Sequence, residues 1–101
     1  MKPILSICVA VYNIRGDFLR ECLASVTADR SEDIEIIIGD DCSREDCAAI
    51  CREYAAADSR IKYIRPEKNG GVSVMRNMMI EAAEGGLLTF VDGDDVVPGD
   101  Y

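Results

Sequence analysis

Four short apolar runs, separated by three stretches of helical periodicity, constrain this chain more than any other feature of its sequence. The runs are Ile4 to Val11, Ile34 to Gly39, Ile61 to Ile64 and Leu87 to Val91. The first, second and fourth are almost unbroken in apolar residues, as expected of strands covered on both faces. Strands that alternate with helical segments imply a parallel sheet, because parallel neighbours need a crossover long enough to hold a helix. The expectation is an α/β, Rossmann-like parallel sheet of about four strands in the order 3-2-1-4, with right-handed crossover helices.

The intervening segments support this. Phe18, Leu19, Cys22, Leu23 and Val26 recur at helical spacing, with Arg20 and Glu21 on the opposite face. A second helix is expected to start at Ser43, whose hydroxyl can cap it, with Asp46 in a capping-box position. Its apolar face is Cys47, Ile50, Cys51, Tyr54 and Ala55. The third follows Gly70-Gly71 and turns Val72, Met75, Met79 and Ala82 or Ala83 inward. It is expected to end at Gly85-Gly86, where glycine can supply a left-handed cap. With 101 residues and no linker-like stretch, the chain forms at most one domain around one core.

Charge and composition narrow the chemistry. A net charge of -8 leaves no basic stripe for nucleic acid, so DNA and RNA are not expected partners. The absence of histidine removes Ser-His-Asp and Cys-His nucleophile systems and His-ligated zinc. Cys8, Cys22, Cys42, Cys47 and Cys51 are odd in number and match no common zinc spacing, so reduced thiols in a cytoplasmic protein are expected. No membrane span is expected, since no apolar stretch approaches the roughly 20 residues one needs. A full-length protein could still lie against the inner face of a membrane.

In open parallel sheets, ligands sit beyond the carboxyl ends of the strands, where the strand order reverses. The polar residues collect there. The first run leads into Tyr12-Asn13, the second into Asp40-Asp41, and the fourth into Asp92-Gly93-Asp94-Asp95. Asp40 can be read as no more than a cap for the following helix. The three carboxylates of the last cluster repel one another unless they share a cation, and an oxygen-only donor set selects Mg2+ or Mn2+. Such an ion commonly takes its remaining ligands from substrate phosphates, so a metal-bridged diphosphate is the natural guest.

Four segments in this order, VAVYN (Val9 to Asn13), GDDCS (Gly39 to Ser43), NGGVSVMRN (Asn69 to Asn77) and FVDGDD (Phe90 to Asp95), resemble the N-terminal half of the family 2 glycosyltransferases, which have the GT-A fold. The resemblance covers nearly all of the chain. It implies that residues 1–101 are the nucleotide-sugar-binding part of a metal-dependent glycosyltransferase domain with a D-x-D motif. The implied donor-binding residues are Val11, Tyr12, Asn13, Asp41, Asn69, Gly70, Gly71, Arg76, Asp92, Gly93 and Asp94. Tyr12 would pack on the base, Asp41 would accept from it, and Asn69 to Arg76 would lie near the diphosphate. Asp94 and Asp92 would serve the Mg2+ or Mn2+ ion. Departures from the usual pattern are Ala10 in place of a common proline, Cys42 where glycine is common, and Val74-Met75 in a usually small-residue stretch.

The resemblance further implies inverting transfer from a UDP-linked sugar to an acceptor hydroxyl, with the general base expected beyond Tyr101 and these residues alone inactive. An alternative is a non-catalytic nucleotide-binding or oligomerising module, with a second copy joined through the sheet edge. A haloacid-dehalogenase-type phosphatase, in which Asp92 would be a nucleophile, is another. That reading leaves Tyr12-Asn13 and Asp40-Asp41 without a role.

Overall fold

The computed structural model describes residues 3–28, 32–68 and 70–92, without the side chains of Val72 and Asp92. Its elements are β1 (Leu5–Val11), α1 (Gly16–Thr27), β2 (Ile34–Asp40), α2 (Glu45–Ala57), β3 (Ile61–Ile64), α3 (Gly71–Ala82) and β4 (Leu87–Asp92). The strands form one parallel sheet in the order β3-β2-β1-β4, as the sequence predicts.

The order dictates where the helices lie. The steps from β1 to β2 and from β2 to β3 run in one direction, so right-handed crossovers put α1 and α2 on the same face. The step from β3 to β4 reverses, which sends α3 to the other face. The core divides accordingly. Ile7, Val9, Val11, Ile36 and Ile38 pack with Leu19, Cys22, Leu23 and Val26 of α1 and with Cys47, Ile50 and Cys51 of α2. Cys8 and Ile37, on alternate strand positions, pack with Met75 and Met79 of α3. Every residue of β2 is buried, because it has a strand on each side and helices on both faces.

At the amino end of the sheet a charged group ties three strands to the loop that leads from α3 into β4. Ser6 and Glu35 are register partners on β1 and β2 and both are buried. Ser6 Oγ donates to Glu35 Oε2 at 2.6 Å, and the backbone N–H groups of Glu84 and Gly85 donate to the same oxygen at 2.5 and 3.1 Å. Lys62 Nζ lies 3.0 Å from Oε1, an ion contact outside hydrogen-bonding alignment. Burial pushes the Glu35 carboxyl up, but the Ser6 hydroxyl, the Glu84 amide and Lys62 outweigh it and hold the group below its ordinary value.

Three local expectations are corrected. Phe18 does not join the core: it is 45% exposed and carries the Arg15 guanidinium 4.6 Å from its ring centroid. Its position one residue before Leu19 lies off the buried stripe of Leu19, Cys22, Leu23 and Val26. Ser43 does not cap α2, whose N-cap is Arg44 without a side-chain hydrogen bond. The Ser43 hydroxyl accepts from another loop instead. Gly85 and Gly86 do not supply a left-handed cap, since α3 ends at Ala82 and Ala83 is extended. Gly85 is small for another reason: a Cβ there would stand 2.5 Å from Ser6 Oγ and 2.8 Å from Ser6 N.

Candidate functional site

The carboxyl ends of β1 and β2 lie side by side, so the loops that leave them are neighbours by construction. They are also bonded together. The Asp41 N–H donates to Val11 O at 2.9 Å, the Asn13 N–H to Ser43 Oγ at 3.0 Å, and the Arg44 N–H to Asn13 Oδ1 at 2.8 Å. Two residues in these loops have positive φ, Asn13 at 49° and Cys42 at 61°. Asparagine tolerates that region well, whereas cysteine does so reluctantly, so Cys42 holds a conformation that a glycine would adopt more easily. The Cys42 thiol donates to Pro66 O at 3.3 Å, and its N–H to Asp40 O at 2.9 Å.

Asp40 and Asp41 have separate roles. Asp40 is fully buried. Its Oδ1 accepts from the Ser43 N–H at 2.8 Å, and its Oδ2 accepts from Tyr63 Oη at 2.6 Å and from Arg65 Nη1 at 2.8 Å. Arg65 Nη2 also donates to Ser43 O at 3.0 Å. Burial, and then the hydrogen bond to the Asp40 carboxylate, push the Tyr63 hydroxyl up to about 12. Burial and Asp40 likewise push the Cys51 thiol up to about 12, which leaves it an inert core thiol. Asp40 thus fixes the loop after β2 from beneath. Tyr63 and Arg65 escaped the sequence reading, although Arg65 directly follows a strand and the carboxyl-end rule could have found it.

Asp41 faces the start of α3. Its Oδ1 accepts from the Gly70 N–H at 3.0 Å and its Oδ2 from the Gly71 N–H at 3.1 Å. Gly71 has φ 85°, a conformation that L side chains rarely adopt. Further along α3, the Arg76 guanidinium sits 4.8 Å from the ring centroid of Phe90 on β4. Met75 is buried in the core and Val74 is exposed, so the larger residues of this stretch serve packing on one side and face outward on the other.

Among the candidate residues, Val11 lies in the core and contributes its carbonyl, and Tyr12 is 56% exposed beside it. Asn13, Asp41, Gly70 and Gly71 are joined through the bonded loops. Asp92 closes β4, its backbone in register with Ala10. Asn69, Gly93, Asp94 and Asp95 lie outside the described residues, as does the Asp92 side chain. Among the described residues no group of three His, Cys, Asp or Glu could hold a metal, and no helix is long and apolar enough to cross a membrane. All five cysteines are free thiols.

The family model described as glycosyl transferase family 2 matches residues 6–101. An uncharacterized glycosyltransferase of Bacillus subtilis, EpsJ, is 42% identical over 97 residues, which are 96% of this chain and 28% of that protein. The crystal structure of S. aureus TarS 1-349 in complex with UDP-GlcNAc superposes with a TM-score of 0.84 at 30% identity, over 99% of this chain and 28% of that one. A mannosyltransferase from Pyrobaculum calidifontis, PcManGT, in complex with GDP-Man and Mn2+, has a TM-score of 0.84 over 97% of this chain and 29% of its own. At 18% identity this last likeness speaks to fold alone. The chain spans less than a third of the length of each of these proteins.

Proposed function

Because the chain belongs to glycosyl transferase family 2, we propose that residues 1–101 form its donor side, which binds the nucleotide of a UDP-linked sugar at the carboxyl ends of β1, β2 and β4. The observation that carries this reading is the bonded pair of loops after β1 and β2. They hold exposed Tyr12 next to Asp41 at the switch point of the sheet, where parallel α/β proteins bind ligands. Tyr12 offers an aromatic face for a base, and Asp41 a carboxylate for a base N–H. A carboxylate has about four lone-pair sites and can serve several donors at once.

Asp94 and Asp92 would hold a Mg2+ or Mn2+ ion near the diphosphate. The fit rests on donor chemistry: a carboxylate set suits a hard divalent cation, and a diphosphate beside unpaired carboxylates meets only repulsion. When bound, the ion would stabilise the charge that develops on the departing nucleoside diphosphate. In the full-length protein, transfer to an acceptor hydroxyl with inversion is the proposed reaction. Its general base would lie outside residues 1–101, as would most groups that choose sugar and acceptor. Cys8, Cys22, Cys47 and Cys51 are buried in the core, a place that suits reduced thiols, and a cytoplasmic setting is part of the proposal.

Calorimetry with UDP and Mn2+ tests the reading. Binding is expected in the range of tens of micromolar to millimolar, about -4 to -6 kcal/mol, and is expected to vanish in chelator. Asp94→Ala is expected to remove the metal-dependent part. Equal binding in chelator, or an unaffected Asp94→Ala variant, would show that the acidic cluster has been given the wrong role.

A further inference from the structure

The first backbone N–H groups of α3 have no carbonyl partner within the helix, as in every helix, and Gly70 offers no side chain to cap them. The carboxylate of Asp41 does so from a loop 29 residues away. One oxygen takes the Gly70 amide and the other the Gly71 amide, at 3.0 and 3.1 Å. The charge suits its place, since a carboxylate at the start of a helix meets the positive end of the helix dipole. The φ of -111° and ψ of -3° at Gly70 bring the two successive amides to one carboxylate, and the φ of 85° at Gly71 turns the chain from them into the helix.

The geometry points to Asp41 as a positioning residue for the diphosphate side of the site, in addition to its role toward the base. Through these two bonds it sets the start of α3, and one turn further on α3 holds Arg76 over Phe90, two residues before Asp92. The chain of contacts is continuous from the loop after β2 to the end of β4. Base recognition and diphosphate binding are therefore coupled through one carboxylate. The two glycine amides already hold an anion, so the Gly70-Gly71 pair serves the shape of the site and not as a free phosphate cradle. This inference rests on the donor-site reading above, and its test separates the two.

Asp41→Asn keeps the size of the side chain but turns one oxygen into a donor facing a glycine amide. Gly71→Ala strains the same junction from the other side and leaves Asp41 in place. The first readout needs no ligand: amide hydrogen exchange in the first turn of α3, with α1 as the internal control. The second is an NMR titration of the 101-residue chain with uridine and, separately, with Mn2+-pyrophosphate. Asp41→Asn is expected to speed exchange in α3 about tenfold with α1 unchanged, and to weaken both uridine and pyrophosphate about five- to tenfold. Gly71→Ala is expected to weaken pyrophosphate and α3 protection while sparing uridine. An Asp41→Asn variant with wild-type α3 exchange, or one that loses uridine alone, overturns the positioning role. Should Asp41→Asn speed exchange in α1 as well, Gly71→Ala decides: unchanged pyrophosphate binding in it overturns the coupling. If the wild-type chain binds neither probe, the donor-site reading falls, and the exchange measurement still judges Asp41.

Discussion

Glu35 keeps a charge where burial disfavours it, and the reason is the count of donors around it. Ser6, Glu84, Gly85 and Lys62 all stabilise the ionised form, so the carboxyl is held below its ordinary value of 4.5. A depressed value in the folded state means that the group stabilises the fold fully above the unfolded value, and that this contribution is lost as pH falls below it. Chemical denaturation across pH 7 to 3 is expected to show Glu35→Gln less stable than wild type by about 1–3 kcal/mol at pH 7, with the gap closing below pH 4.5. A gap that stays constant to pH 3 would mean that the charge contributes nothing. At this scale the sequence was only half legible. That Asp40 and Asp41 lie at a strand end follows from a short apolar run, whereas their separate roles depend on partners more than twenty residues away, Tyr63 and Arg65 for Asp40 and Gly70 and Gly71 for Asp41. Phe18 failed for a related reason: helical spacing gives a stripe, and only packing decides which residues at its border are covered.

The contact between β2 and α3 turns on Gly39, where the helix comes closest to the sheet. A Cβ at Gly39 would stand 2.5 Å from Met75 Sδ and 2.7 Å from Met79 Sδ, so the two thioethers occupy the room that glycine leaves. Gly39→Ala is expected to destabilise by about 1–3 kcal/mol. Met75→Ala alone is expected to cost about 2–5 kcal/mol, as other truncations of buried methionine do. Together they are expected to cost less than the sum, because the small side chain makes space for the methyl group. Urea unfolding of the four proteins measures this, and strictly additive losses would show that the methionines simply swing aside. Elements were the most legible scale, since alternation and helical period are local properties that reached the strand bounds within one residue. Ends were less so. Gly85 reads as a helix cap in the sequence but is small because the backbone of β1 passes beside it, a constraint written 79 residues earlier at Ser6.

Across the whole molecule, the sheet has one polar rim that gathers the candidate site and one flank that is unusually apolar. Among the described residues β4 pairs only with β1, and Leu87, Leu88 and Phe90 on it are all exposed. Such an edge offers unpaired backbone groups together with apolar side chains, a combination that recruits another strand. Sedimentation of the 101-residue chain at high micromolar concentration is expected to show self-association, reduced by Leu88→Lys; a strict monomer would refute it. The strand order that places the site also governs how the molecule is made. A ribosome releases β1 well before β4, yet the two are neighbours, joined from Ser6 to Gly85. While α2 and β3 are emerging, a nascent chain can pair β1 with β2 alone, so one side of β1 stays open until β4 leaves the exit tunnel.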